Sequence, residues 1–473
     1  MSISDANHPI EFAIDVAVSN GVFFVKSKED GYEPQLIALT LLPSLFPKSQ
    51  CDLMYRLQSP TSLLYHRAAI QNPLFLQNHL QDVNDDFTQR LLAIHKKVLA
   101  NPKSQQFHFT VFRSDYILDA GLGKEERLTR QNASKFKCKQ VEVNTIASGM
   151  GPMSDSVRKT HRIISNFLDN EVNQHSDNVT EGIVEAFAAT HHLYVSQEQH
   201  SSNAYVLFVT MDNELNVIDQ RRIEFELLDR YGIRCIRFSL TEMTSNLELN
   251  DDMTLSVDGK EVSIVYFRSG YNPHFYETEE HWKVREKIEL SQAIKSPSAA
   301  YQLAGSKVIQ CVLSKKEVLQ DLLQDSETVD ELLDTYAPQY SLASNESKVI
   351  IQEAIANPAK YVLKTQREGG GHNVFDEQLV HKLKTLPKCC YSSYVLMERI
   401  YSPIYDNIIL ANEGVRYNGT ICSELGIFGA VLGDQHSILL NKTFGTLLRS
   451  KQSSAADGGI TAGIACLDSV NLC

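Results

Sequence analysis

Apolar residues recur at helical spacing over residues 9–20 and, more regularly, over 85–99, where Phe87, Leu91, Leu92, Ile94 and Val98 share one face. Two amphipathic helices are predicted there. Residues 107–112 alternate as a strand does and run into Arg113-Ser114-Asp115-Tyr116. The polar, glycine-containing stretch 119–136 reads as a surface loop. Alternation returns at Gln140-Val141-Glu142-Val143-Asn144-Thr145. With its valines turned to the core, Glu142 and Asn144 share the opposite face, because side chains at i and i+2 point the same way. Such a face either meets solvent or holds a hard cation. The pattern alone leaves both open.

A new unit opens near residue 203. Tyr205-Val206-Leu207-Phe208-Val209 suits a buried strand, 220–231 is helical, and 233–238 reads as a second strand, a βαβ rhythm. Asp258-Gly259 marks a hairpin turn. The strand 261–267 then delivers Arg268-Ser269-Gly270-Tyr271, and the unit closes near residue 304. Beyond it, 312–335 is charged, leucine-rich and helical, and Lys360-Tyr361-Val362-Leu363 alternates towards a short strand. Asn418-Gly419 predicts another hairpin turn, with Glu424 on a strand over 420–428.

Composition narrows the class. A chain of 473 residues can bury a large core and divides into two or three domains. No apolar run approaches the roughly 18–20 residues that a bilayer requires. Met1-Ser2-Ile3-Ser4-Asp5 lacks the basic and apolar regions of a secretory leader, so a cytoplasmic location is expected. A net charge of −13 argues against a nucleic-acid partner, and any anionic substrate must be held by locally concentrated cations. The nine cysteines show no C-x-x-C spacing, and Cys389 and Cys390 are adjacent, which points to free thiols. His191-His192 has no further ligand at metal-binding spacing.

The densest candidate chemistry is Lys364-Thr365-Gln366-Arg367-Glu368-Gly369-Gly370-Gly371-His372-Asn373. Consecutive glycines let backbone N–H groups converge on phosphate oxygens. A nearby Lys can neutralise phosphate, and a Glu can hold Mg²⁺. The same residues would equally serve as a mobile turn in solvent. The loop matches neither G-x-x-x-x-G-K-[ST] nor a strand–helix G-x-G-x-x-G, and Gly121-Leu122-Gly123-Lys124 fails because Glu125 follows. Arg449-Ser450-Lys451 precedes a second glycine-rich stretch, 457–463, which closes over an anion or is simply flexible.

The order of motifs adds a family. Arg-Ser-Asp-Tyr (113–116), Val-Glu-Val-Asn-Thr-Ile (141–146), Asp-Gln-Arg (219–221) and Tyr-Phe-Arg-x-Gly-Tyr (266–271) are followed by Gln-Leu-Ala-Gly-Ser-Lys (302–307). Then come Lys-x-Gln-Arg-Glu-Gly-Gly-Gly (364–371), Met-Glu-Arg-Ile (397–400), Ser-Glu-Leu-Gly-Ile-Phe-Gly (423–429) and Leu-Leu-Arg-x-Lys (447–451) with Asp-Gly-Gly (457–459). Over nearly the whole chain this order resembles the eukaryotic glutathione synthetase family. The resemblance implies an α/β (α+β) protein with the ATP-grasp fold: a core of residues 1–202 and 305–473 with lid and glycine-rich loops, and an inserted α/β substrate-binding domain, 203–304. It also implies an ATP-dependent ligase that activates γ-glutamylcysteine as an acyl phosphate for attack by glycine, and a homodimer without nucleic-acid or membrane partners.

Position by position, Glu142, Asn144 and Glu368 resemble the family's Mg²⁺ ligands. Lys307 and Lys364 resemble the lysines on the ATP phosphates, beneath the loop of Gly369, Gly370, Gly371 and Asn373. Phe375 with Met397, Glu398, Arg399 and Ile400 resembles the adenine site, and Glu424, Lys451 and Asp457 further nucleotide contacts. Arg113 resembles the residue that takes the peptide's carboxylate, a task suited to a guanidinium fork. Ala147, Ser148, Gly149, Glu214, Leu215, Asn216, Gln220, Arg268, Ser269, Gly270 and Tyr271 match the γ-glutamylcysteine pocket. Arg449 resembles the arginine that stabilises transition-state charge.

Three departures stand out. The family's usual Ser-x-Ser is Ala147-Ser148-Gly149 here, a tyrosine beside the adenine is Phe375, and a Val-Ala pair near the acceptor amino acid is Ile460-Thr461. A sister ligase using another small amino acid such as β-alanine therefore stays open, as does a non-catalytic protein that keeps the fold.

Overall fold

The computed structural model describes residues 3–26, 31, 33–123, 125–344, 347–368, 371–455, 459–460 and 463–473. Helix α1 (Ile3–Ser19) reaches further back than the 9–20 pattern, and is followed by β1 (Leu39–Thr40) and α2 (Lys48–His66). Helix α3 (Asp86–Ala100) begins where the pattern places it. The Asp85 carboxylate caps it, accepting from the Thr88 N–H at 3.0 Å. Phe87, Leu91, Leu92 and Ile94 are buried.

Strand β2 (His108–Asp119) runs on past Phe112 to take in Arg113 and Asp115, and β3 (Lys137–Asn144) pairs with it. The segment between them is not wholly a surface loop, since Leu128, Ala133 and Phe136 are buried in the main core. Helices α4 (Gly151–Phe167) and α5 (Val179–Val195) follow.

A separate six-stranded sheet comes next, built from β4 (Tyr205–Thr210), β5 (Cys235–Ser239), β6 (Leu247–Leu249), β7 (Leu255–Val257), β8 (Lys260–Phe267) and β9 (Ile294–Ser296). Its order is β5-β4-β8-β7-β6, with β9 beside β8. Helix α6 (Val217–Tyr231) forms the crossover between the parallel strands β4 and β5. Asp258 and Gly259 both have positive φ (52° and 70°), the conformation of a two-residue hairpin turn.

The leucine-rich region is three short helices, α7 (Lys307–Leu313), α8 (Lys316–Leu323) and α9 (Ser326–Thr335). A three-stranded antiparallel sheet, β10 (Gln339–Ser341), β11 (Tyr361–Thr365) and β12 (Tyr394–Glu398), has the order β10-β12-β11. The chain then returns to the first sheet with β13 (Tyr405–Ala411), β14 (Gly414–Gly433), β15 (Ile438–Gln452) and β16 (Ala465–Asp468). The seven strands stand in the order β13-β1-β16-β15-β14-β2-β3.

The Asn418-Gly419 turn is overturned. Both residues lie inside β14, where Asn418 pairs with Ile408, and the chain reverses instead at Asn412-Glu413, with Ala411 opposite Gly414 (φ 98°). Gly419 serves a close approach: a Cβ there would stand 2.8 Å from the Tyr417 hydroxyl.

One face of the central sheet sends Phe112, Tyr116, Leu425, Ile427 and Leu448 into the largest core. The other sends Phe109, Val111, Phe428, Ala430 and Leu447 into a second core. Along that second face, towards β3, the apolar residues give way to charges. Among the described residues no helix is long and apolar enough to cross a membrane.

Candidate active site

Ladder register collects the charges. Arg113 stands opposite Asn144 and Asp115 opposite Glu142 on β2 and β3; Glu424 stands opposite Arg449 on β14 and β15. Asp115 is fully buried and accepts from Arg113 Nε at 2.7 Å, Asn144 Nδ2 at 2.8 Å and Arg449 Nη2 at 3.0 Å. Gly426, opposite Asp115 in the ladder, is what makes room, because a Cβ there would touch Arg113 and Asp115 at 3.0 Å. Arg449 Nη2 also binds Glu424. Burial pushes the Glu424 carboxyl up; Arg449 opposes that, while Asp115 and Glu142 add to it. Burial also works against charge on Arg449, but Glu424, Asp115 and Glu142 hold its guanidinium firmly protonated.

The expectation that both valines of β3 face the core is half right. Val143 is buried, but Tyr116 pairs with Gln140 and Asp115 with Glu142, which leaves Val141 as an extra residue in a bulge. Its carbonyl accepts from Lys364 Nζ at 2.6 Å. Lys307, at the start of α7, bridges two acids. Its Nζ lies 3.0 Å from Glu142 Oε2 and 3.1 and 3.3 Å from the Glu368 oxygens. Burial favours a neutral Glu142, but Lys307 and then Lys364 overcome it and hold that carboxyl well below the usual range. Burial dominates at Glu368, where Lys307 opposes it and the Glu142 charge reinforces it; the carboxyl is pushed up to about 7. Burial lowers the Lys364 amine.

The loop carrying Glu368 leaves β11 at Thr365 and returns through Val374, whose N–H and carbonyl pair with Leu363 at 2.9 and 3.0 Å. Arg367 pairs with Asp85 at 2.7 Å, and Asn272 donates to the Glu368 carbonyl at 2.8 Å. Gly371 has φ 73°, open to glycine without strain, and Asn373 beside it is half-buried. Gly369, Gly370, Asp457 and Thr461 lie outside the described residues.

A second polar pocket joins β8 to the turn before α4. Ala147 and Met150 both have positive φ (51° and 71°), a conformation costly without glycine. Gly149 lets Arg268 in close, since a Cβ there would be 2.7 Å from its Nη2. Arg268 Nη2 bonds the fully buried Asp219 at 3.2 Å, and Asp219 also accepts from the Met150 and Met153 N–H groups. Three atoms in this neighbourhood, Arg268 Nε, Asn216 Oδ1 and Glu214 Oε2, are buried with no hydrogen-bond partner. Buried unpaired polar atoms are rare enough that a cluster of them points to an absent ligand. Gly270, at φ 80°, accepts from Tyr276 and Gln302, and the half-buried Tyr271 packs edge-on against Phe275.

Among the other expected pocket residues, several side chains already have partners within the protein. The Leu215 side chain is exposed, and its carbonyl accepts from Val25. The Ser148 and Ser269 hydroxyls donate to backbone carbonyls, of Val111 and Asn144 and of Val209 and Thr210 respectively. Gln220 accepts from Arg237 at 2.7 Å, and Ile460 is buried in the second core. Around β11 and β12, Met397 and Val362 form a small apolar floor with Phe375 and Ile400 packed on it. The Arg399 guanidinium lies 5.2 Å from both the Phe375 and the Tyr401 rings. The N–H groups of Glu398 and Arg399 are committed to Pro338 and Lys360. Asp115 and Asp219, the buried acids that orient Arg113, Arg449 and Arg268, carry no role in the sequence reading; their one signal is an acid inside an arginine-bearing motif.

Among the described residues no three His, Cys, Asp or Glu side chains are gathered as a metal-binding group. His191 rests against the Ser263 hydroxyl at 2.8 Å.

The sequence profile of the family described as eukaryotic glutathione synthase, ATP binding domain, matches residues 4–472. Glutathione synthetase of Homo sapiens is 36% identical over 470 residues, 96% of this chain and 94% of that protein. That of Dictyostelium discoideum is 33% identical over 97% of each chain. The chloroplastic glutathione synthetase of Solanum lycopersicum is 35% identical over 92% of this chain and 77% of its own length. A solved structure, a glutathione synthetase-like effector from Globodera pallida in its apo form, has the same fold, with a TM-score of 0.77 over 100% of this chain and 98% of that one at 22% identity. Similarity from end to end, in sequence and in fold, makes this chain a member of the eukaryotic glutathione synthetase family, with its mixed α/β ATP-grasp architecture.

Proposed function

We propose that the chain is an ATP- and Mg²⁺-dependent ligase that joins γ-glutamylcysteine to glycine through an acyl phosphate, releasing glutathione, ADP and phosphate. The observation that carries this reading is the meeting of Lys307 and Lys364 with Glu142 and Glu368 between the sheet edge and the glycine-rich loop. Two amines against two carboxylates match a triphosphate with a divalent ion. Phosphoryl transfer needs this kind of positioning and charge neutralisation more than covalent help.

The donor set fits Mg²⁺. Glu142 and Glu368 already converge on one cation, and the Asn144 nitrogen is committed to Asp115 and Glu142, which leaves its carbonyl oxygen as the ligand atom. Hard oxygens from one or two carboxylates, completed by phosphate and water, suit this ion. Bound there, it supplies neutralisation of charge on the phosphate oxygens.

In this reading Lys307 turns from its two acids, and Lys364 from the Val141 carbonyl, to the phosphates. The glycine-rich loop, with Asn373, keeps water from the acyl phosphate. The base lies against Met397, Ile400 and Phe375, beside Glu398 and Arg399, with Glu424, Lys451 and Asp457 as further nucleotide contacts. Arg113 is held by Asp115 through Nε and Nη2 and donates from Nη1 to the Gly149 carbonyl at 3.1 Å, which leaves one N–H on each terminal nitrogen for the peptide carboxylate. The unpaired atoms of Glu214, Asn216 and Arg268 support a polar dipeptide as their missing partner. Arg449, oriented by Asp115 and Glu424, meets charge that develops as the amine attacks. The Ile460-Thr461 pair takes the place of the family's Val-Ala near the acceptor amino acid and so bears on which acceptor is used.

Residues 203–304 serve as an inserted peptide-binding domain, supported by a sheet whose strands all come from that span. The enzyme acts as a cytoplasmic homodimer on small molecules. Nine unpaired cysteines support a reducing compartment, although one relative is named chloroplastic.

The test is direct. The protein is given Mg-ATP and γ-glutamylcysteine with glycine or with β-alanine, and ADP release and product mass are followed. Turnover with glycine is expected. Preference for β-alanine makes it a sister ligase, and no ADP with either acceptor sinks the ligase reading.

A further inference from the structure

The 3₁₀ turn Lys388–Ser393, just ahead of β12, carries two neighbouring thiols that the proposed reaction does not use. Cys389 is exposed and Cys390 half-buried, both are unpaired, and their sulfurs are 3.9 Å apart. Asn84 grips the turn through its side chain, its N–H and its carbonyl, and its Nδ2 also lies 3.9 Å from the Cys390 sulfur. The Asn84 side chain donates to the Cys389 carbonyl at 3.0 Å, its N–H donates to the Ser392 hydroxyl at 3.0 Å, and its carbonyl accepts from the Ser393 hydroxyl at 2.6 Å.

Two short routes lead from this grip to the glycine-rich loop. Asp85, next to Asn84, pairs with Arg367, which precedes Glu368. The Ser393 carbonyl accepts from the Gln366 side chain at 3.3 Å, and Gln366 in turn accepts from the N–H of Val308, next to Lys307.

We propose that Cys389 and Cys390 form a thiol–disulfide exchange site for a low-molecular-weight disulfide of the glutathione class, and that closing the pair loosens the nucleotide loop. The exposed Cys389 thiolate attacks one sulfur of the small disulfide, whose S–S bond breaks and whose other half leaves as a thiolate and takes up a proton. Cys390 gives its proton to solvent and attacks the Cys389 sulfur, expelling the second small thiol. The two protein thiols are oxidised and one disulfide is reduced to two thiols.

Closure reaches Asn84 through geometry. Adjacent Cα atoms stand about 3.8 Å apart across a trans peptide, short of the roughly 4.4–6.8 Å that disulfides normally span. The ring therefore twists the peptide unit joining Cys389 to Cys390. The carbonyl that Asn84 holds belongs to that unit. A strained pair is also readily reduced, which makes the change reversible.

The effect on nucleotide rests on the function proposed above, so the experiment separates the two. Full-length reduced protein is titrated with Mg-ATP, then re-titrated after equilibration with glutathione disulfide, alongside Cys389→Ser, Cys390→Ser and Asn84→Ala. Intact mass and mapping of the 389–399 peptide report the bond. In the wild type an intramolecular disulfide is expected, with affinity falling about two- to tenfold, the worth of one hydrogen bond, and returning with a dithiol. Both serine variants should ignore the oxidant. Asn84→Ala should bind more weakly from the start and lose the response. Glutathionylation without ring closure, closure with unchanged affinity, or an unaffected Asn84→Ala each overturns the proposal. A reduced wild type that fails to bind Mg-ATP overturns the functional reading instead.

Discussion

Lys307 and Glu368 meet at 3.1 Å, and the same ammonium reaches Glu142 at 3.0 Å, so a lysine occupies the point on which the two carboxylates converge. A divalent ion entering alone must displace it, whereas an ion arriving on a nucleotide brings phosphates for the lysine to join. Lys307→Met should therefore bind Mn²⁺ without nucleotide at least about tenfold more tightly than the wild type, a difference of roughly 1.4 kcal/mol. Electron paramagnetic resonance of free Mn²⁺ measures this directly. Equal affinity in the two proteins would remove the lysine from this gating role.

Arg449→Ala should cut turnover by about 10²–10³-fold, the usual effect of removing one preorganised charge contact. Asp115 keeps its bonds to Arg113 and Asn144, so the protein should stay folded, with a lower melting temperature because Glu424 loses its partner. Steady-state kinetics beside circular dichroism checks both. A variant retaining near-normal kcat would assign Arg449 to structure alone.

Gly149→Ser restores the serine common in the family at a place where Arg268 Nη2 is 2.7 Å from the new Cβ. The obstacle is the far end of a flexible side chain, so the arginine gives way rather than the backbone. KM for γ-glutamylcysteine should change several-fold with kcat nearly constant, and stability should fall by under about 1 kcal/mol. An unchanged KM would take Arg268 out of the peptide site.

Asp468 is fully buried, bonded to the Ser44 and Ser450 hydroxyls, and burial pushes its carboxyl up to about 6 despite them. The folded state thus holds this proton more tightly than the unfolded chain, whose aspartate titrates near 3.9. The stabilising contribution is complete below about pH 4 and is lost as pH rises through 6, about 3 kcal/mol in all. Urea denaturation between pH 4 and 7 should show that slope in the wild type and a flatter profile in Asp468→Asn. Parallel profiles would contradict it.

Much of the site was legible because strand alternation is a local property. Glu142 and Asn144 sit on one side of β3 as their spacing requires, and the hairpin at Asp258-Gly259 forms where two residues with positive φ are wanted. What escaped is set by partners distant in sequence. The bulge at Val141 exists only in register with β2, and Asp115 gains its meaning from an arginine 334 residues away. Asn418-Gly419 misled because its glycine answers to a neighbouring tyrosine ring instead of a turn. Ser148 and Gln220 lie in motifs that resemble a binding pocket, yet their side chains are committed inside the protein.

The extra residue at Val141 has a wider bearing on how such an enzyme can change over time. A strand that gains or loses one position trades its charged face for its apolar one, and here the trade is confined to a single step in the ladder. Upstream of it the strand keeps its register with Tyr116; downstream the acids keep theirs with Asp115. Deleting that one residue would close the ladder with Glu142 still opposite Asp115, but it would straighten the strand and leave the lysine of β11 without its carbonyl. Length variation should therefore accumulate in the long connection before β3 and be absent between Gln140 and Asn144, a pattern that a survey of natural variants can read without any assay.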